Sequence, residues 1–94
     1  MIFEYDPDKS AGNKDKYGID FEEAKALWRD TDRLEAEILR SGEERYLLIG
    51  LIGSIHWTAI ITYRGKAVRI ISVRRSRRDE VKHYEKYRDI YRGI

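Results

Sequence analysis

The sequence has no cysteine and only one proline among its 94 residues. Without cysteine, a disulfide framework and a thiolate zinc site are both excluded, and a reducing compartment is the expected setting. No uninterrupted apolar run approaches the roughly 20 residues that a membrane-spanning helix needs. The first residues also lack the pattern of a signal peptide. Because the length suits one domain with a modest core, we expect a single cytoplasmic domain over residues 1–94.

The formal net charge of only +2 is unevenly distributed along the chain. Residues 1–45 carry eight Lys/Arg and thirteen Asp/Glu, and residues 46–63 carry no formal charge. Residues 64–82 carry eight Lys/Arg against two acidic residues, a net charge of +6. This asymmetry favours a patch that faces a polyanion on an otherwise acidic molecule. The alternative is a solvated basic surface without a partner.

The N-terminal third of the chain predicts a strand followed by two helices. The strand covers 2–5, the first helix runs from Asp6-Pro7 to about Lys16 before Gly18, and the second runs from Asp20 to 30–32. Asp6 before proline is a typical helix start, and Gly18 suits the end of that helix. Asp20 and Glu23 have the spacing of a capping box.

The rest of the chain predicts strands and then a final helix. The segments rich in Ile, Leu, Thr and Tyr are typical of strands, and short segments with glycine separate them. The predicted strands cover 34–39, 45–52, 56–63 and 67–73, with turns at Ser41-Gly42, Gly53-Ser54 and Arg64-Gly65-Lys66. The predicted helix has Ser76 as its cap, Asp79 in its first turn, and Val81, Tyr84, Tyr87 and Tyr91 on one face. The predicted fold class is α+β: helices against an antiparallel sheet of three to four strands after the N-terminal strand.

Much of the positive charge lies where the last predicted strand runs into the last helix. Arg69 lies within this strand, Arg74 and Arg75 end it, and Arg77 and Arg78 open the helix. Guanidinium groups and free backbone N–H groups are the groups that hold a phosphate or stabilise charge developing on one. The alternative is that acidic side chains of the N-terminal half pair with these arginines.

Standard motifs for a phosphate loop, a dinucleotide fold or a zinc protease are absent. His56 and His83 are too few and too far apart for a persuasive metal site. We expect His56 to be an ordinary hairpin residue and His83 to face solvent. We therefore expect no metal and no cofactor.

Two groups of segments form an ordered pattern that covers most of the chain. The first comprises Phe3-Glu4-Tyr5-Asp6-Pro7-Asp8-Lys9, Asn13 and the run from Lys16-Tyr17-Gly18 to Phe21-Glu22-Glu23-Ala24. The second comprises Arg45-Tyr46, Gly50, Thr62-Tyr63-Arg64-Gly65 and the run from Arg69 to Ser76. Each segment alone is a weak signal, but their order and spacing are specific, and together the segments resemble the BrnT family of toxins.

The resemblance implies a RelE-like α+β fold and a ribonuclease toxin of a bacterial type II toxin–antitoxin system. Such a toxin cuts RNA without a metal ion and thereby arrests translation and growth. The implied partner is a BrnA-like antitoxin with a ribbon-helix-helix-type DNA-binding domain. Toxin and antitoxin would form a 2:2 complex that represses its own operon by binding operator DNA.

The resemblance also implies site residues. The implied catalytic positions are Lys16, Tyr17, Arg64, Arg74, Arg75 and Tyr84. From their place in the basic segment, we expect Arg69, Arg77 and Arg78 to be further RNA-binding positions. Arginine suits phosphate binding better than proton transfer because it does not readily lose its proton. The family usually has histidine where this chain has Tyr17, and tyrosine is the weaker base at neutral pH. Two other hypotheses stay open: a catalytically weakened module that still binds RNA or antitoxin, and a purely structural role for the arginines.

Overall fold

The computed structural model of the protein describes residues 1–38, 42 and 44–93, which form an α+β fold with one five-stranded mixed sheet. The strands are β1 (Ile2–Glu4), β2 (Leu34–Ile38), β3 (Arg45–Ile52), β4 (Ile55–Arg64) and β5 (Ala67–Arg75). The helices are α1 (Pro7–Tyr17), α2 (Phe21–Ala24) and α3 (Arg78–Arg92), and a 3-10 helix over Lys25–Arg29 continues α2. The predicted α+β class is confirmed. None of the helices in the described ranges combines the length and apolarity needed to cross a membrane.

The strand order across the sheet is β1-β5-β4-β3-β2. Strands β2 to β5 form an antiparallel meander, as the sequence predicted. The short strand β1 instead pairs in parallel with β5, with Phe3 opposite Val68. A run of three residues carries too little pattern to specify a partner or a direction, so this parallel pairing was not predicted. The outermost described strands are therefore β1 and β2.

Different helices cover the two faces of the sheet. Successive residues of a strand point to opposite faces, so each strand contributes side chains to both layers. On one face, α2 and the 3-10 helix contribute Phe21 and Leu27 to a core that includes Leu48 and Ala59. On the other face, Thr58 of β4 donates a hydrogen bond to Glu80 of α3. The sheet therefore separates α3 from the N-terminal helices.

Several local predictions were confirmed at the level of single residues. Asp20 and Glu23 form the predicted capping box of α2, and Gly18 ends α1 with a φ of 81°. Such a positive φ favours glycine because it lacks a Cβ atom. Strand β5 extends to Arg75, two residues beyond the predicted end. Leu39 of the predicted strand and Ser41 of the predicted Ser41-Gly42 turn lie outside the described residues.

The prediction that Ser76 caps α3 was wrong, since Arg77 is the N-cap residue. The backbone N–H of Arg77 donates to the Glu80 carboxylate at 2.7 Å, and the Ser76 hydroxyl lies 2.8 Å from the Thr58 hydroxyl. Glu80 rather than Asp79 thus takes the third position of the first turn. Of the predicted apolar face, Tyr84 is fully buried, whereas Tyr87 and Tyr91 are 45% and 72% exposed.

A buried asparagine joins α1 to the edge of β5. The pairing of β1 with β5 ends at Arg69. Four residues further along β5, the side chain of Asn13 hydrogen-bonds to the backbone of Val73. Its Nδ2 donates to the carbonyl oxygens of Ile19 at 2.8 Å and Val73 at 2.9 Å, and its Oδ1 accepts from the Val73 N–H at 3.2 Å. The side-chain amide therefore takes the place of a neighbouring strand and fixes α1 against β5.

We expect Asn13→Ala to lower the free energy of unfolding by about 3 kcal/mol, since buried backbone groups left unpaired cost about 1–3 kcal/mol each. Asn13→Asp should be nearly as harmful, because a carboxylate cannot donate to the two carbonyl oxygens. Denaturant unfolding measures both effects. Asp15→Ala, on the exposed side of α1, is the control and should stay within about 0.5 kcal/mol of wild type. Asn13 variants as stable as this control would contradict the structural role.

Candidate nucleic-acid interface

The segment from Arg74 to Arg78, here called the β5–α3 junction, carries four arginines within five residues. The backbone N–H of Ser76 donates to the carbonyl oxygen of His56 at 3.1 Å, which fixes the junction to β4. Arg75, Arg77 and Arg78 are exposed. None of these three takes part in an ion pair with any residue that the structure describes. Their charges are available to an anion.

Arg74 is held by a buried carboxylate of α3. Its Nη1 and Nη2 donate to Oε1 and Oε2 of Glu80 at 2.7 and 2.9 Å. Burial acts to raise the pKa of Glu80, but the hydrogen bonds from Arg74 and from the Arg77 N–H together lower it. The hydrogen bond to Glu80 also raises the pKa of Arg74. Both groups therefore stay charged, and the guanidinium group keeps a fixed orientation.

The C-terminal end of α1 lies beside Arg74. Asn13 hydrogen-bonds to Val73, which directly precedes Arg74. After the dominant hydrogen bond to Glu80, an electrostatic interaction with Tyr17 also raises the pKa of Arg74. Lys16 Nζ lies 5.2 Å from the centroid of the Tyr17 ring. Tyr17 thus lies within electrostatic range of Arg74, and Lys16 lies against the Tyr17 ring.

Arg75 stacks on an aromatic ring instead of pairing with an acid. It lies opposite Trp57 in the β4–β5 register, and its Cζ is 5.4 Å from the Trp57 ring centroid. A guanidinium group over a tryptophan face gains a cation–π attraction while it keeps its full positive charge. Arg75 is therefore partly ordered before any ligand binds.

Arg64 and Arg69 lie away from the junction. Both pair with Glu4 of β1, at 3.7 Å and 3.4 Å. Arg64 lies opposite Ala67, seven residues before Arg74 along β5, which corresponds to about 23 Å at a rise of ~3.3 Å per residue. For these two arginines, the structure shows the pairing with the acidic N-terminal half that the sequence left open. At this separation, the two arginines do not share a binding surface with Arg74.

Tyr84 is fully buried and also lies outside this surface. Its hydroxyl donates to Oδ2 of Asp30 at 2.6 Å, and burial followed by this hydrogen bond raises its pKa. The His56 ring packs edge-on against it with the centroids 5.2 Å apart. His56 Nε2 is buried with no hydrogen-bond partner among the described residues. Tyr84 thus has the position of a core residue, and His83 is exposed as expected.

Two residues of this network were not identified from the sequence. Glu80 follows the N-cap residue Arg77 by three positions, and that spacing is a signal that could have revealed its role. Asp30 contacts Tyr84 across 54 positions of sequence, and no local pattern indicates such a contact. Across the described ranges, no group of three His, Cys, Asp or Glu side chains is arranged to hold a metal ion.

The fold and the site define an α+β protein with a cationic strand–helix junction suited to phosphate groups. A family model described as the ribonuclease toxin, BrnT, of type II toxin–antitoxin systems matches residues 5–80. The chain belongs to this family, which confirms the resemblance found in the sequence. Family membership indicates a ribonuclease toxin with a protein antitoxin as its partner. A search of curated proteins gives no match.

Proposed function

We propose that this chain is an endoribonuclease that cuts RNA without a metal ion, with the β5–α3 junction and the end of α1 as its active site. The observation that carries the proposal is the group of exposed arginines at the junction that have no described ion pair, with Tyr17 at the end of α1 in electrostatic range of Arg74. The exposed side chains of the junction are cationic, and the Glu80 carboxylate beside them is hydrogen-bonded to Arg74, so this surface does not offer the free carboxylates that Mg²⁺ prefers.

RNA cleavage of this kind uses the 2′-hydroxyl as the nucleophile. A base removes the 2′-hydroxyl proton as the 2′-oxygen–phosphorus bond forms, and an acid protonates the 5′-oxygen as its bond to phosphorus breaks. Positive groups stabilise the charge that develops on the phosphate. Arg74 and Arg75 suit this last role because they keep their protons. In this proposal, Lys16 and Tyr17 orient the 2′-hydroxyl or move a proton.

The hydrogen bonds of Arg74 leave it able to bind a phosphate. Its guanidinium donates twice to Glu80 and once to the Arg75 carbonyl oxygen, and an arginine side chain has five N–H donors. Arg77 and Arg78 add positive charge on the helix side of the junction. The proposal leaves Arg64, Arg69 and Tyr84 out of the active site, because both arginines pair with Glu4 and Tyr84 is buried with its hydroxyl on Asp30.

The wider biological role follows the family resemblance. We infer that cleavage arrests translation and growth in the cytoplasm. A BrnA-like antitoxin with a ribbon-helix-helix-type domain neutralises the toxin in a 2:2 complex, which represses the operon through operator DNA. The fold then corresponds to a RelE-like domain over residues 1–94. Family membership supports the antitoxin partner, and growth arrest on expression tests the toxin role.

We expect the purified chain to cleave a short RNA oligonucleotide in the presence of EDTA. The products should carry a 2′,3′-cyclic phosphate and a 5′-hydroxyl. A matched oligonucleotide with a single 2′-deoxy nucleotide at the cleaved position is the control, and it should stay intact at that position. Cleavage that requires added Mg²⁺, or that proceeds at the 2′-deoxy position, would show that the proposed chemistry is wrong.

Tyr17 supports a second candidate function, a toxin relative that binds RNA but cleaves it poorly. General acid–base groups contribute on the order of 10²–10⁴-fold to rates, and imidazole titrates closer to neutral pH than a phenol does. We therefore expect Tyr17→His to raise the cleavage rate at pH 7 about tenfold. Single-turnover cleavage measures the change, and Tyr63→His at an exposed tyrosine is the control. A slower Tyr17→His variant would show that the phenol itself is the better catalytic group.

A further inference from the structure

An apolar groove remains beside α3 on its face of the sheet. It has a volume of about 400 Å³ and runs between strands β2 and β3 and the helix α3. Its lining comprises Leu34, Ala36, Leu47 and Ile49 from the sheet, His83 and Tyr87 from α3, and the acidic residues Glu35, Asp79 and Glu80. We call it the β2–α3 groove. The α3 residues Tyr87, Ile90 and Tyr91 are 45%, 48% and 72% exposed, so apolar surface continues beyond the groove.

Strand β2 forms one wall of this groove and is the outermost strand of the described sheet on that side. The outer backbone edge of such a strand is a template for pairing with another strand. Side chains along β2 alternate, with Leu34, Ala36 and Ile38 on one face and Glu35 and Glu37 on the other. A strand that paired with β2 would therefore meet an apolar face and an acidic face.

The charge on β2 argues against a second copy of this chain as the occupant. If two copies of β2 paired antiparallel about Ala36, Glu35 of each copy would lie opposite Glu37 of the other. Like charges directly opposite each other destabilise a strand pair. Neither glutamate takes part in an ion pair with the residues that the structure describes. The alternation instead complements a strand whose side chains are alternately apolar and basic.

We propose that the β2–α3 groove binds an extended segment of the antitoxin, which adds to β2 as a sixth strand. Its apolar side chains cover Leu34, Ala36 and Tyr87, and its Lys or Arg side chains lie beside Glu35 and Glu37. This inference rests on the proposed function, since the occupant is the antitoxin of the same system. Glu80 both lines the groove and holds Arg74, so the inner end of the groove reaches the β5–α3 junction, although the added strand lies on the far side of β2.

The test uses the purified toxin together with its proposed BrnA-like antitoxin. We expect Glu37→Lys to weaken antitoxin binding at least about tenfold, because like charges across an interface are strongly unfavourable. Tyr87→Ala, which removes apolar contact area, should also weaken binding. Glu85→Lys makes the same charge change at an exposed position of α3 outside the groove and should bind like wild type. Cleavage of RNA in the absence of the antitoxin should be the same for Glu37→Lys and Glu85→Lys.

Hydrogen exchange distinguishes strand addition from other modes of binding. Amides of residues 34–38 should exchange more slowly in the complex, whereas those of β1, the other outer strand, should not change. Three outcomes would overturn the inference. They are protection of β1 instead of β2, binding as tight as wild type by both Glu37→Lys and Tyr87→Ala, and the absence of any complex with the antitoxin. A toxin dimer that Glu37→Lys disrupts would identify a second copy as the occupant and also overturn it. If the wild-type chain binds the antitoxin in the groove but does not cleave RNA, the proposed function is contradicted and the inference about the groove is supported.

Discussion

We expect Arg75→Ala to reduce RNA cleavage by about 10²–10³-fold, the loss typical of removing one group that stabilises transition-state charge. The side chain is exposed and contacts the Trp57 ring, with no ion pair to a described residue. Because the charge is not used to hold the fold together, we expect the effect in kcat more than in thermal stability. Single-turnover cleavage and thermal unfolding of the same samples measure the two quantities.

Lys66→Ala provides the matched control for this variant. Lys66 is exposed in the turn between β4 and β5, at the opposite end of β5 from Arg75, and its removal changes the net charge by the same amount. We expect cleavage by Lys66→Ala to stay within about twofold of wild type, because surface charges beyond a Debye length of about 8–10 Å are largely screened. Equal losses in the two variants would mean that cleavage depends on overall charge and not on the junction.

Removing the Glu80 carboxylate has the largest expected effect on stability. Glu80→Ala leaves the guanidinium of Arg74 without its partner, and breaking a buried pair on one side costs about 3–5 kcal/mol. It also removes the acceptor of the Thr58 hydroxyl and the Arg77 N–H. A typical domain has a total stability of about 5–15 kcal/mol, so the variant should unfold at much lower denaturant concentration. Glu85→Ala, on the exposed side of the same helix, should be close to wild type.

The contribution of Glu80 should depend on pH in a defined direction. The pKa of this carboxyl is lowered in the folded state, so its stabilising effect is complete above its unfolded value of about 4.3. The effect is lost as the pH falls through the folded value. The difference in unfolding free energy between wild type and Glu80→Gln should therefore be largest near pH 7 and shrink towards pH 3. A difference that is the same at both pH values would contradict the role of the charged pair.

Local signals in the sequence were sufficient for most of the secondary structure. Gly18 and the Asp20–Glu23 pair specify how α1 ends and how α2 begins, and both act within a few residues. The parallel pairing of β1 and the contact between Asn13 and Val73 depend on residues about 60 positions apart. Such contacts are set by tertiary packing, which a local pattern does not contain.

The candidate site was predictable in part, for the same reason. Arg74 and Arg75 follow one another at the end of β5, so their backbones are adjacent, but their side chains point to opposite faces of the sheet, towards Glu80 and Trp57 respectively. Arg64 belongs to the same basic segment, but it lies opposite Ala67 at the start of β5. This position is about 23 Å from Arg74 at ~3.3 Å per residue. Charge counted along a chain therefore identifies a basic segment, whereas strand geometry decides which of its members share a surface. Here the basic segment divides into two parts. At the junction, Arg74 alone has a described ion pair, and at the other end Arg64 and Arg69 both pair with Glu4.

The most direct test of the account is to map where RNA binds on the folded chain. A short RNA oligonucleotide with 2′-O-methyl groups cannot supply the nucleophile, so it binds without being cut, and NMR chemical shifts report the backbone amides that it affects. We expect the changes at residues 14–18 and 74–78, the end of α1 and the β5–α3 junction, with little change at 64–69. Changes confined to residues 64–69, or no saturable change at all, would contradict the claim that the junction is the site of RNA cleavage.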